Sequence, residues 1–181
     1  MKLQIIYLII TFIITAILGK IIIPILKKLK IGQVERTDGP RTHLRKQGTP
    51  TMGGIIMMLA IIIPIAIAAF CAEGSIRNSI LILGAASIGF GIVGFIDDYK
   101  KLVLKNTDGL SPRLKMLGQL IVSVTFAIVI VRVMNFAPST YIPFLRITLE
   151  LPKWIYVTFV VFVMIGTANA INLTDGVDGL A

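Results

Sequence analysis

The sequence predicts an all-α polytopic membrane protein with five transmembrane helices and a small extracytoplasmic hairpin. Three observations carry that expectation. First, 56% of the 181 residues are hydrophobic, and the apolar residues gather into runs at 3–26, 53–72, 79–96, 116–134 and 154–171, each about as long as a bilayer crossing requires. Second, the runs are continuous rather than alternating in ten-residue segments, which favours helices over a β-barrel. Third, the charges are unevenly placed. Twelve of the 18 basic residues lie in two loops, with Lys27, Lys28, Lys30, Arg36, Arg41, Arg45 and Lys46 in one and Lys100, Lys101, Lys105, Arg113 and Lys115 in the other. Positive loops face the cytoplasm, so the N-terminus is expected outside and both basic loops inside. The runs use more than half of the chain and leave no room for a separate soluble domain, so residues 1–181 are expected to form a single membrane domain.

Each element follows from local features. The first run is longer than the apolar region of a signal peptide and has no small-residue cleavage site before the basic cluster, so it reads as a retained helix. Pro64 falls inside the second run, where a membrane helix tolerates a kink. Glu73–Asn78 reads as a short turn. In the third run, Ala85, Gly89, Gly91 and Gly94 suggest a small-residue face for close helix packing. The connection 135–153 contains "FLRITLEL" between prolines, and its alternation predicts an outer hairpin. Trp154 and Tyr156 then stand where aromatic belts form. The single cysteine, Cys71, cannot form an internal disulfide.

The inner segments are chemically richer than an anchor requires. They hold seven of the nine acidic residues: Glu35, Asp38, Asp97, Asp98, Asp108, Asp175 and Asp178. Asp97 and Asp98 end an apolar run in "GFIDDYKK". At a helix C-terminus two carboxylates oppose the dipole by roughly 0.3–1 kcal/mol each, and successive helical residues point about 100° apart. The two acids therefore suit different tasks, one facing a metal or nucleophile and the other a neighbouring lysine; the competing reading is a solvated helix end. In "ANAINLTDGVDGLA", Asn169, Asn172, Asp175 and Asp178 recur every third residue, and Gly176 lets a ligand approach the backbone. A polar C-cap is the simpler alternative, but four such groups exceed what capping needs. In "RTHLRKQGTPTMGG", Gly48, Pro50, Gly53 and Gly54 shape a turn, and Lys46 and Thr51 beside a helix N-terminus suit a phosphate. N-capping with positive-inside bias competes there. His43 has no nearby partner for a metal, so a structural role is expected. In "TDGLSPRLKMLGQ", Ser111 reads as an N-cap and Pro112 as the first helical residue. Arg113 and Lys115 then occupy a first turn against the dipole preference, which suggests an anion. Acids, bases and amides meeting at one membrane face would suit a site joining a soluble nucleotide to a lipid phosphate, with Mg²⁺ held by carboxylates and phosphates.

These motifs, with "RTDGPRTHLRKQGTPTMGG" and "LSPRLKMLGQ", resemble the phospho-N-acetylmuramoyl-pentapeptide-transferase family of the polyprenyl-phosphate N-acetylhexosamine-1-phosphate transferase superfamily. The likeness covers the whole chain in order. It implies transfer of phospho-N-acetylmuramoyl-pentapeptide from its UDP conjugate to undecaprenyl phosphate, releasing UMP, with Mg²⁺ as cofactor at the bacterial cytoplasmic membrane. It implies that Asp97 and Asp98 are the catalytic pair, with Asp97 preferred for activating the lipid phosphate. Asn172, Asp175, Gly176 and Asp178 match the nucleotide and active-site loop, while Lys46, Thr51, Lys101 and Lys115 match polar positions of the cleft. The metal ligands stay unassigned. The lipid bilayer is a partner, a homodimer is allowed for, and no nucleic acid is expected.

The resemblance also implies about twice as many spans, a further metal-ligating aspartate and a histidine-rich loop. The chain is therefore expected to be the N-terminal half of a protein of about ten helices, inactive by itself and dependent on its C-terminal half. Two alternatives stand beside this reading. One is a sister transferase that moves N-acetylglucosamine-1-phosphate. The other is a non-enzymatic scaffold or transporter half, which the clustering of charge at the inner surface, rather than at the bilayer midplane, disfavours.

Overall fold

The computed structural model describes residues 2–28, 52–104 and 109–174. Helix α1 spans Lys2–Lys28, α2 Gly54–Cys71, α3 Gly74–Leu104, α4 Pro112–Ile128 and α5 Lys153–Thr174. A π-helical turn, Val129–Val133, extends α4, and strands β1 (Ser139–Ile142) and β2 (Ile147–Glu150) lie between α4 and α5. Among the described residues five helices are long and apolar enough to cross a membrane, and the chain is a multi-pass membrane protein. Hydroxyls inside these helices are satisfied locally: Thr11, Thr15, Ser79, Ser87, Ser123 and Thr158 each donate to the carbonyl four residues back, the way a hydroxyl is accommodated in a helix without exposing a polar group to lipid.

The chain divides into two compact units, Met1–Lys115 and Met116–Ala181. In the first, α2 packs against both α1 and α3. The α2–α3 contact is close because two glycines permit it. A Cβ on Gly84 would fall 2.9 Å from Cγ2 of Ile65, and one on Gly91 would fall 2.7 Å from Sδ of Met58. The contact stripe is thus Gly84 and Gly91, seven residues apart. The expected face of Ala85, Gly89, Gly91 and Gly94 is corrected accordingly: Ala85 and Gly94 are exposed, because a heptad step keeps one side of a helix toward its neighbour and these two lie off that line.

The turn expected at Glu73–Asn78 is shorter than foreseen, since α3 already begins at Gly74. Arg77 accounts for the tight connection. Its Nε donates to the carbonyls of Ala69 and Ala72 at 3.0 Å each, satisfying groups that the end of α2 leaves without partners. At the other end of α2, Met52 is the left-handed residue (φ 69°) and not the neighbouring glycine: Gly53 is right-handed (φ −57°).

In the second unit, β1 and β2 pair antiparallel with Ile142 opposite Ile147. The loop closes with Arg146 donating its backbone N–H to Pro143 at 3.3 Å, and Phe144 at the tip is 97% exposed. The hairpin foreseen from the alternation is therefore present, with its first strand upstream of "FLRITLEL". On α4, Gln119, Ser123 and Ala127 form a buried stripe at a spacing of four residues that Val131 continues. Asn169 of α5 donates through Nδ2 to Oε1 of Gln119 at 2.8 Å.

Candidate functional site

Helix α3 does not stop where its apolar run stops. It continues from Ile96 to Leu104, so Asp97 and Asp98 lie inside the helix, nearly two turns before its end. The expectation that they oppose a C-terminal dipole is corrected, since that field fades within the last turn. The sequence supplies the reason for the extension. Lys101 stands four residues after Asp97 and three after Asp98, the two spacings that meet on a helix surface, with the acids on the favourable N-terminal side. Its Nζ lies 2.9 Å from Oδ2 of Asp97 and 3.2 Å from Oδ1 of Asp98.

The two acids are not equivalent. Asp97 is 6% exposed and has three partners. Lys101 and Lys115 both reach Oδ2, at 2.9 and 3.4 Å, and the backbone N–H of Leu110 donates to Oδ1 at 2.9 Å. Among the described residues only Lys101 meets Asp98, whose side chain is 35% exposed. Lys115, for which the sequence suggested an anion, has the Asp97 carboxylate among its partners. Lys115 reaches it because α4 starts as foreseen: Pro112 is its first residue, Ser111 accepts the Leu114 N–H at 3.4 Å through Oγ, and the Ser111 carbonyl accepts the Lys115 N–H at 3.0 Å.

The cluster therefore joins the C-terminal part of α3 to the first turn of α4 through one buried carboxylate. It can present two ammonium groups converging on one point, with a second, more accessible carboxylate adjacent. Convergent cations bind phosphate oxygens, and a solvated carboxylate oxygen is the hard donor that Mg²⁺ accepts. Among the described residues no group of three or more His, Cys, Asp or Glu side chains could enclose a metal ion. Asp97, with both oxygens engaged by N–H donors, does not fit a metal in this arrangement; Asp98 fits as a single protein ligand of the kind that substrate phosphates complete.

The remaining candidates divide. Asn172 is exposed on α5. Asn169 belongs to the contact with Gln119 rather than to an open polar face. Lys46, Thr51, Asp175, Gly176 and Asp178 lie outside the described residues. Sequence reasoning passed over Gly109 and Leu110, which contact Asp97, and Gln119, which receives Asn169. An Asp-Gly turn dipeptide at 108–109 and a lone amide within an apolar run were the available signals.

Comparison with known proteins adds the family. Residues 79–181 match the model described as glycosyl transferase family 4. The chain belongs to that family. Residues 46–56 also match phospho-N-acetylmuramoyl-pentapeptide-transferase signature 1. Proteins named phospho-N-acetylmuramoyl-pentapeptide-transferase are similar along nearly the whole chain. The one from Staphylococcus aureus (strain bovine RF122 / ET3-1) is 42% identical over 97% of this chain. Those from Staphylococcus epidermidis (strain ATCC 12228 / FDA PCI 1200) and Staphylococcus carnosus (strain TM300) are 45% and 43% identical over 97% and 96%. In each case the match covers 54% of the relative, so the chain spans about half the length of the curated relatives it matches. Family membership and the relatives' names support an enzyme of the transferase class and give no support to a scaffold or transporter half.

Proposed function

We propose that the chain supplies part of the active site of an enzyme transferring phospho-N-acetylmuramoyl-pentapeptide from its UDP conjugate to undecaprenyl phosphate, with release of UMP. The observation that carries this reading is the muramoyl signature at 46–56 in a chain whose α3 bears a buried aspartate held by two lysines. The site lies at the cytoplasmic surface of a bacterial membrane, where the basic loops gather.

Both reactants are phosphorylated, so the difficulty is like-charge repulsion and alignment rather than covalent chemistry with the protein. Lys101 and Lys115 converge on one oxygen of Asp97 and present a pre-formed pair of cations for phosphate oxygens. Held in place beforehand, they stabilise developing charge without reorganising during the reaction. Asp98, on the same helix and more exposed, is the residue that would hold Mg²⁺ together with substrate phosphates. The ion, when bound, supplies further neutralisation of the diphosphate. Lys46 and Thr51 are assigned to phosphate from their place in the sequence before a helix N-terminus, and Asn172, Asp175, Gly176 and Asp178 to the nucleotide and active-site loop on the family resemblance.

The test is an exchange assay on the intact membrane-embedded enzyme with UDP-N-acetylmuramoyl-pentapeptide, UDP-N-acetylglucosamine and undecaprenyl phosphate. Release of UMP with the first donor and not the second is expected. Transfer of N-acetylglucosamine phosphate alone would assign the chain to the sister activity.

A further inference from the structure

The Asp97 carboxylate reaches across to a residue thirteen positions on, the Leu110 amide. Immediately before that amide stands Gly109, with φ +56° and buried. A Cβ built there would fall 2.7 Å from Oδ1 of Asp97, 2.8 Å from Cε of Lys101 and 3.1 Å from the Asp97 backbone carbonyl. Two independent restrictions therefore apply at one position. Residues other than glycine, asparagine or aspartate rarely take this backbone conformation. Any side chain at all would press on the carboxylate, the lysine stem and the α3 backbone together. The carbonyl cannot swing aside as the end of a flexible side chain can, so the carboxylate and the lysine would have to yield.

We infer that Gly109 and the Leu110 amide are positioning groups, which pin the Asp97 carboxylate so that it holds the Lys101 and Lys115 ammonium groups as a fixed phosphate-binding pair and leaves Asp98 as the carboxylate open to the reactants. This rests on the transfer reaction proposed above and deepens it. It moves Asp97 from activating the lipid phosphate to orienting the lysines. The chemistry favours that role: an oxygen shared by two ammonium groups is a poor proton acceptor, and its neighbour Oδ1 already accepts the Leu110 amide. The turn at 109–110 thus acts on the reaction through Asp97, and Asp97 through the two lysines.

The experiment is a kinetic cycle in the intact enzyme with Gly109→Ala, Asp97→Asn and the pair together, using UDP-N-acetylmuramoyl-pentapeptide and undecaprenyl phosphate. Gly109→Ala is expected to lower kcat by about tenfold to a hundredfold, the scale of a misplacement near 1 Å, with KM for the nucleotide changed by less than about threefold. In the Asp97→Asn background the alanine should cost little more, because both changes act on the same group. Wild-type kcat in Gly109→Ala, or losses that multiply in the double variant, would overturn the inference. Gly109→Asn separates the two restrictions: asparagine tolerates the backbone but carries the same Cβ, so it should be as slow as alanine, and full recovery would refute the contact. Should neither variant accumulate, hydrogen exchange at the Leu110 amide decides. In Asp97→Ala it should quicken at least about tenfold, since a lost amide partner exposes the proton, and an unchanged rate would overturn the pinning. A wild-type enzyme that transfers nothing defeats the proposed reaction instead, while the exchange result still judges the turn.

Discussion

Replacing Asn169 by leucine breaks the only described contact between its side chain and another helix, and the cost can be worked from the geometry. Asn169 donates to Gln119 at 2.8 Å, and Gln119 is 4% exposed. Removing the donor leaves the Gln119 carbonyl oxygen buried without it, which costs about 1–3 kcal/mol in water-soluble interiors. Inside a membrane the same pair contributes less, averaging about 0.6 and reaching about 1.7 kcal/mol, because the separated helices find other partners. A loss of about 1 kcal/mol is therefore expected for Asn169→Leu. The second bond of Asn169, to the Ile165 carbonyl at 2.9 Å, adds little, since that carbonyl lies within the helical ladder. Gln119→Leu should cost a similar amount, and the double variant should return close to wild type, because two apolar groups leave nothing unsatisfied. The assay is reversible unfolding in mixed micelles, followed by far-ultraviolet circular dichroism for all four proteins. Additive single losses, with coupling below about 0.3 kcal/mol, would refute the reasoning. Transfer activity in the double variant completes the test: if stability returns and turnover does not, Asn169 faces a reactant after all.

Four further outcomes are expected. Gly84→Ala should destabilise α2–α3 packing by about 1–3 kcal/mol and Gly91→Ala by less, since the first meets the stiff branch of Ile65 and the second the flexible end of Met58; thermal unfolding of the two variants gives the order. Asp97→Asn should reduce turnover by orders of magnitude with expression nearly normal, because the amide still accepts from Leu110 but cannot hold two cations; wild-type-like turnover would remove Asp97 from the site. Asp175→Asn should weaken nucleotide binding more than lipid binding, measured separately for each substrate, and equal losses would contradict its assignment. Chelation of divalent cations should abolish transfer and Mg²⁺ should restore it in the wild type, whereas Asp98→Asn should need roughly tenfold or more Mg²⁺ for half-maximal rate, the scale of a lost ligand.

The spans were legible because a bilayer demands long apolar runs, and the sequence has five. Their ends were less so. Lys101 pairs with Asp97 and Asp98 where α3 continues past the apolar run that ends at Ile96, an effect that hydropathy does not register. The hairpin followed from alternation, and the start of α4 from Ser111 and Pro112. At the site, acids and lysines close in sequence suggested that they would meet, and Asp97, Asp98, Lys101 and Lys115 do form one cluster. Their division of labour was hidden. Asp97 and Asp98 are adjacent in sequence, yet one is buried among three donors and the other is partly solvated, and one of those donors, the Leu110 amide, comes from the turn at 109–110. Asn169 illustrates the converse, since its periodic spacing with Asn172 suggested one polar face. Gln119, fifty residues away, claims it for packing. Gly84 was overlooked beside Gly91 because small residues are common along that helix and only the partner's position selects among them.

The most direct test is single-turnover release of UMP by the intact enzyme from UDP-N-acetylmuramoyl-pentapeptide in undecaprenyl phosphate vesicles, comparing wild type with Lys101→Gln and Lys115→Gln. The account predicts UMP and a lipid-linked sugar in equal amounts from the wild type, and a rate at least about a hundredfold lower in each variant, the scale of a lost charge-stabilising group. Undiminished release in both variants would contradict it.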